Sequence, residues 1–175
     1  MVGDEPIELR GERVVLRAFT PDEMATAYAQ ARASTERVGS LTFERFQLRV
    51  ARSGRLVDGR LDLAIESGGR LVGSIEARSG EGNFPPGVCE IGIELVPDVR
   101  GQGLGTEAVA LLSSRLLASD FDRVQASTHV ANGAMRGALE KAGFELEGTL
   151  RAYMPDGGGR ADYALYALTA LASRA

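Results

Sequence analysis

The stretch CEIGIELVPDVRGQGLGTEAV, Cys89–Val109, is the most informative part of this 175-residue sequence. It begins with the apolar and β-branched residues typical of a strand, which Pro97 and Asp98 end. A glycine-rich turn, Arg100–Thr106, leads into a helix predicted to run to about Ala118. Alternating glycines let the backbone approach a ligand and point several N–H groups one way, and the helix N-terminus adds more. The stretch predicts a pyrophosphate site, with a tight turn that binds no ligand as the alternative.

Two common nucleotide sites do not fit this turn. A Walker loop needs a lysine near its end, and the only lysine of the chain is Lys141. A dinucleotide fingerprint follows the first strand of a parallel sheet, whereas this turn lies past the midpoint of the chain, after predicted hairpins.

The rest of the chain predicts one α/β (α+β) domain, residues 1–175, around a mixed sheet. The predicted strands are Arg13–Phe19, Leu61–Ile65, Leu71–Ala77, Val88–Val96, Val124–Val130, and a closing pair, Phe144–Tyr153 and Tyr163–Leu168, joined by a turn around Pro155 to Gly159. Four helices are predicted. The first begins at Thr20, where Pro21 and Glu23 suit a capping box, and the second begins at about Thr42. The third follows the glycine-rich turn, and the fourth begins at Gly133 and ends before Gly143.

Composition narrows the function classes. The net charge of −4 argues against a nucleic-acid partner and suits a cationic one. No segment approaches the ~18 apolar residues of a membrane span, and a single cysteine, Cys89, excludes an internal disulfide and a cysteine metal cluster. Arginine supplies 19 of the 20 basic residues, which indicates a GC-rich bacterial source. We expect a cytoplasmic protein without a metal.

Acidic side chains mark the strand before the turn. A period of two places Glu90, Gly92 and Glu94 on one face and the apolar residues between them on the other. Two buried, unpaired acids would be costly, so this face either opens onto a cleft or pairs its acids with arginines. In the same strand, alternation sends Cys89 to the opposite face, where we expect it to be buried.

Two motifs in order, Cys89–Val109 and NGAMRGALEKAGFELEGTLR (Asn132–Arg151), make the sequence similar to the GNAT acetyltransferase superfamily. The most similar subgroup is that of the ribosomal-protein-alanine N-acetyltransferases. The resemblance implies a mostly antiparallel sheet of six to seven strands with about four helices. It also implies that acetyl-CoA binds in a V-shaped gap between two splayed parallel strands, Cys89–Val96 and Val124–Val130.

The resemblance carries a set of cofactor-binding residues. They are Leu95, Val96, Arg100, Gly101, Gln102, Gly103, Leu104, Gly105, Thr106, Asn132 and Arg136. Leu95 and Val96 are expected to pair with the pantetheine arm, and the N–H groups from Gln102 to Thr106 to bind the pyrophosphate. Asn132 either contacts the cofactor arm or only caps its helix. Arg136 either reaches a CoA phosphate or is solvated.

The implied reaction is direct transfer of acetyl to a primary amine, either a protein N-terminus or a small cationic amine. Glu90 is the first candidate for the general base, acting through water, and Glu94 is the second. Met135 and Leu139 replace hydroxyl residues that protonate the leaving sulfur in family members, so water, Tyr153 or no group does so here. A non-catalytic acyl-CoA-binding module is therefore the alternative function. His129 is expected to be structural, and a homodimer is one assembly that the resemblance allows.

Overall fold

The computed structural model describes residues 6–33, 42–80 and 84–170, and within them eight strands form one sheet with four α-helices. The strands are β1 (Leu9–Arg10), β2 (Val15–Arg17), β3 (Arg60–Ser67), β4 (Arg70–Arg78), β5 (Val88–Leu95), β6 (Arg123–His129), β7 (Glu145–Asp156) and β8 (Gly159–Thr169). The helices are α1 (Met24–Ala33), α2 (Phe43–Arg52), α3 (Leu104–Leu117) and α4 (Gly133–Lys141). A 3-10 turn, Pro21–Glu23, precedes α1, and another, Pro97–Val99, follows β5.

The strand order in the sheet is β1-β2-β3-β4-β5-β6-β8-β7. All neighbours are antiparallel except β5 and β6, which are parallel. The predicted mixed, mostly antiparallel sheet with one parallel pair and four helices is confirmed. The predicted strand count of six to seven is too low, because the two-residue strand β1 has no apolar alternation by which the sequence could reveal it.

Local signals placed most helix ends correctly. The Thr42 hydroxyl accepts a hydrogen bond from the Arg45 N–H at 3.3 Å and caps α2. The Glu23 carboxylate accepts one from the Thr20 N–H at 2.9 Å, which completes the reciprocal part of the predicted capping box. The closing hairpin differs from the prediction: β7 and β8 extend through Pro155 and Gly159, and only a two-residue turn joins them. Its glycines have φ of +50° and +92°, which tight hairpin turns require.

The sheet has two unlike faces. Its core face packs on α3 and α4 through a large apolar cluster that includes Ile91, Leu112 and Leu139. Its opposite face, here called the polar face, carries the buried acids Asp62 and Glu76, and α2 packs on it through Arg49, whose guanidinium contacts both acids. A smaller apolar cluster links α1 and α2. Buried ion pairs therefore help to join α2 to the polar face, whereas apolar contacts join α3 and α4 to the core face.

Candidate active site

A gap opens in the sheet between its two parallel strands. β5 pairs with β6 only over Val88–Glu90, where Glu90 is the partner of Gln125. Beyond that point β5 stays paired with β4 as far as Leu95, and β6 stays paired with β8 as far as His129. The two strands therefore diverge from a vertex at Glu90 and Gln125, and the predicted splay is present.

The edge of β5 that faces this gap offers backbone groups. The Val96 N–H donates to the Val72 carbonyl of β4 at 3.0 Å, so alternation turns the N–H and C=O of Leu95 toward the gap. The Leu95 carbonyl accepts a hydrogen bond from Arg100 Nε at 2.9 Å. Of the two residues expected to pair with a pantetheine arm, Leu95 faces the gap with its backbone, whereas the Val96 amide is already bonded to β4.

The glycine-rich turn continues from this edge into α3. Gly101 and Gly103 have φ of +76° and +84°, in the left-handed region that glycine adopts without strain. Gly103 occupies the N-cap position, and the first helical bond of α3 runs from the Glu107 N–H to the Gly103 carbonyl at 3.2 Å. The amides of Leu104, Gly105 and Thr106 precede that bond and have no intrahelical acceptor. The turn and α3 thus present a run of N–H donors and the positive end of a helix dipole.

Side chains from outside the stretch hold this turn. The Arg13 guanidinium, before β2, donates to the Gln102 carbonyl at 2.7 Å, and Glu107 in the first turn of α3 accepts from the Arg13 backbone N–H at 2.8 Å. Sequence reasoning missed both residues as site residues. No local signal could have found them, because they lie 94 positions apart.

Glu90 lies at the vertex of the gap, on the polar face. One carboxylate oxygen pairs with Arg78 Nη2 of β4, and the other accepts from Gln125 Nε2 of β6 at 3.4 Å. The residue is 9% exposed. Both oxygens are engaged in joining three strands, which is the ion-paired alternative that the sequence left open for this face.

Glu94 lies two residues after Gly92, in the part of β5 that no longer pairs with β6. It shares the polar face with Glu90 and stands opposite Ser74 of β4. The side chain is half-buried. The predicted common face of Glu90, Gly92 and Glu94 is therefore present, and its two acids occupy different environments.

Asn132 and Arg136 point their polar groups into the protein. Asn132 Oδ1 accepts from the Met135 N–H at 3.1 Å, as an N-cap, and its Nδ2 donates to the Thr128 hydroxyl at 3.1 Å. Arg136 Nε donates to the Tyr166 hydroxyl at 3.1 Å and its Nη1 to the Val130 carbonyl at 3.2 Å. The bond to Tyr166 raises the pKa of Arg136. The capping alternative for Asn132 is present, and the Arg136 side chain contacts β8 and the residue that follows β6.

The aromatic side chains near the far end of β6 form a row. The His129 ring packs edge-on against Tyr163 with centroids 5.8 Å apart, and Tyr163 contacts Tyr153 at 5.7 Å. Tyr153 is 43% exposed. His129 Nδ1 accepts a hydrogen bond from the Ala131 N–H at 3.0 Å, which agrees with the structural role expected for it. Tyr153 lies within an irregular part of β7, between Leu150 and Met154, where Asp162 accepts from the Ala152 N–H at 2.7 Å.

The residues expected to pack do so. Leu139 is fully buried, and Met135 packs against the same apolar cluster. Cys89 is buried on the core face, and burial raises the pKa of its thiol to about 12, so it is not a nucleophile at neutral pH.

The described ranges 6–33, 42–80 and 84–170 contain no group of three or more His, Cys, Asp or Glu side chains placed to hold a metal ion. None of their helices combines the length and apolar character needed to cross a bilayer.

The sequence matches a known protein family over the segments that build this site. Residues 13–145 match the family model described as an acetyltransferase (GNAT) domain. The match covers most of the chain, including the gap, the glycine-rich turn and α4. No curated protein matches the sequence.

Solved structures share the fold at low identity. A GNAT-family acetyltransferase from Bacillus anthracis superposes with a TM-score of 0.77 at 20% identity, over 94% of this chain and 99% of that one. RimJ of Mycobacterium smegmatis, in complex with CoA-disulfide, gives 0.79 at 20% identity over 95% and 89%. A chimera of spermidine N-acetyltransferase SpeG from Vibrio cholerae and hSSAT gives 0.77 at 17% identity over 92% and 98%.

Proposed function

The chain belongs to the family of GNAT acetyltransferases, whose cofactor is acetyl-CoA, and we propose that it acetylates a primary amine by direct transfer in a ternary complex. The acceptor is either a protein N-terminal amine or a small cationic amine. The observation that carries the proposal is the gap between β5 and β6, which has backbone donors along one edge and an acid-bearing face beside it.

The described residues fit the cofactor. The gap beyond Glu90 leaves the Leu95 backbone free of any strand pairing with β6, so that an extended pantetheine arm pairs there and runs past Val96. The N–H groups from Gln102 to Thr106 bind the pyrophosphate, with Arg100 beside them. Asn132 and Arg136 shape the opposite wall of the gap from α4.

Amine acylation needs a group to accept the ammonium proton before the amine attacks. When bound, acetyl-CoA supplies the thioester carbon at which the amine forms its new C–N bond. Glu94 accepts the proton through water in this proposal, because it lies in the open part of the gap. Glu90 is the second candidate, since it lies at the closed vertex, where β5 still pairs with β6. Gap-facing amides of β5 stabilise the charge that develops on the carbonyl oxygen.

Cleavage of the C–S bond leaves a thiolate that takes up a proton. Met135 and Leu139 have no proton to donate, so the candidate donors are water and the exposed Tyr153. Replacing Tyr153 by Phe distinguishes these two donors. The kcat falls if the Tyr153 hydroxyl donates the proton, and it stays within about twofold of the wild-type value if water does. Tyr163→Phe is the matched control, because it removes the neighbouring hydroxyl of the same aromatic row.

The acidic balance of the chain supports a cationic acceptor. Its arginine-rich composition and lone, buried cysteine support a bacterial and cytoplasmic setting as part of the same proposal.

The experiment that tests the proposal measures thiol release from acetyl-CoA with a panel of amines, namely peptides with free N-termini, polyamines, diamines and aminoglycosides. We expect release with at least one class and a matching mass increase of one acetyl group on the acceptor. An N-terminally blocked copy of each peptide is the control. CoA binding by calorimetry without release on any member of the panel would overturn the proposal in favour of a non-catalytic binding module.

A further inference from the structure

We infer that Arg13 and Glu107 are positioning residues that hold the glycine-rich turn in the shape that binds pyrophosphate. The inference rests on the proposed function in one respect, which is that the pyrophosphate of CoA binds at this turn. It adds a role for two side chains that do not themselves contact the pyrophosphate.

Glu107 ties the first turn of α3 to the segment between β1 and β2. Its Oε1 accepts the backbone N–H groups of Arg13 at 2.8 Å and Val14 at 3.3 Å, and its Oε2 lies 3.4 Å from Arg13 Nε. Gly11 makes room for this carboxylate, because a Cβ at that position would overlap Glu107 Oε1 and approach Leu111 to 2.8 Å. The β1–β2 segment therefore wraps around the Glu107 carboxylate.

The charge of Glu107 would otherwise oppose the proposed ligand. A carboxylate in the first turn of α3 lies near the helix N-terminus, where an anionic pyrophosphate is expected to bind. Burial acts to raise its pKa, but the N–H groups of Arg13 and Val14 and the Arg13 charge outweigh burial, so the pKa of Glu107 is lowered. The Arg13 guanidinium thus offsets a negative charge that is present at neutral pH.

Arg13 also sets the direction of a backbone donor. Its Nη1 donates to the Gln102 carbonyl at 2.7 Å. The peptide bond between Gln102 and Gly103 is trans, so the Gly103 N–H points away from that carbonyl and hence away from Arg13. Arg13 lies close behind the turn, since a Cβ on Gly103 would stand 2.9 Å from Arg13 Nη2. Because Arg13 holds the Gln102 carbonyl on one side of the turn, the Gly103 N–H points to the other side, beside the N–H groups of α3 that have no intrahelical acceptor.

The test compares Arg13→Gln with the wild-type chain in CoA binding, measured by calorimetry. We expect the Kd for CoA and for dephospho-CoA to rise by about tenfold or more, because a charge-assisted hydrogen bond to the turn is lost. With the amine acceptor saturating, kcat with acetyl-CoA should stay within about twofold, and so should kcat/KM for S-acetylpantetheine, which lacks the pyrophosphate.

Arg10→Gln is the matched control, because Arg10 makes its ion pair with Glu8 at the surface, 72% exposed, in the adjacent strand. Should Arg13→Gln fail to fold, Arg13→Lys keeps the charge but loses the planar fork, and we expect it to weaken CoA binding by a smaller factor.

The outcomes separate this inference from the proposed function. CoA binding needs no amine, so the inference is tested even if every amine of the panel fails. An unchanged Kd for CoA in Arg13→Gln would overturn it, and so would an equal loss with acetyl-CoA and S-acetylpantetheine, which would mean that the two residues only stabilise the fold.

Discussion

The polar groups at the two ends of β5 differ in whether they find hydrogen-bond partners within the protein. At the vertex, the Glu90 carboxylate is held by Arg78 and Gln125, so that three strands are locked together by side chains. At the other end, the strand runs into a turn and a helix N-terminus whose amides from Leu104 to Thr106 have no intrahelical acceptor. One end uses its hydrogen-bonding capacity for the fold, and the other keeps it available for a ligand.

This difference indicates where function resides along one strand. A polar group whose partners are all within the protein stabilises the fold, and a group whose partners are missing from the chain is ready to bind something else. Glu94 lies between the two ends, beyond the last pairing of β5 with β6, in the part of the strand that borders the gap. Four predictions test the contrast.

The largest expected effect separates the two acids. Glu94→Gln should lower kcat by about 10²- to 10⁴-fold, the usual loss of a general base, with little change in the Kd for CoA. Glu90→Gln is the matched variant and should cost less than about tenfold, because the amide can still bond to its neighbours. Steady-state kinetics with a saturating amine measures both. A larger loss of kcat in Glu90→Gln than in Glu94→Gln would identify Glu90 as the general base.

The second prediction concerns stability at the vertex. Glu90→Ala should lower the free energy of unfolding by about 1–3 kcal/mol, because it removes the buried carboxylate that pairs with Arg78 and accepts a hydrogen bond from Gln125. Glu147→Ala, which breaks the more exposed pair with Arg123 on the same sheet, should cost less than about 1 kcal/mol. Urea unfolding measures both values, and equal losses would show that burial of Glu90 does not matter.

The third prediction concerns the open end. Gly103→Ala should weaken CoA binding by about 5- to 30-fold, because a left-handed backbone costs a residue with a Cβ about 1–2 kcal/mol and the turn relaxes away from its binding shape. Gly101→Ala should have a smaller effect, since the added Cβ meets nothing within 4 Å. Gly137→Ala, in the middle of α4, is the control and should leave the Kd for CoA unchanged. Calorimetry distinguishes the three variants.

The smallest expected effect depends on pH. The pKa of Glu107 is lowered in the folded state, so its stabilisation is present above the unfolded-state value of 4.5 and is lost as the pH falls through the folded-state value. Glu107→Gln should therefore be less stable than the wild-type chain by about 1 kcal/mol at pH 7, and the difference should shrink toward pH 3. Urea unfolding at both values tests this, and a difference that is independent of pH would contradict it.

The parts that sequence reasoning predicted depend on neighbours in the chain. Asn132 caps α4 through the N–H of Met135, three residues away, and Thr42 caps α2 through Arg45 in the same way. The parts that it missed depend on distant partners. Arg78 reaches Glu90 only because β4 and β5 pair in that register, and Asp162 holds Ala152 only because of an irregularity between β7 and β8.

The sequence by itself determined the turn between β5 and α3 and the common face of Glu90, Gly92 and Glu94, because left-handed glycines and strand alternation are properties of a few consecutive residues. Only the tertiary structure decided where β5 and β6 stop pairing, and hence which acid is tied at the vertex and which lies in the open gap. The same holds for the contact of Arg13 and Glu107 across 94 positions. Such contacts depend on strand register and helix packing, which the whole chain sets together.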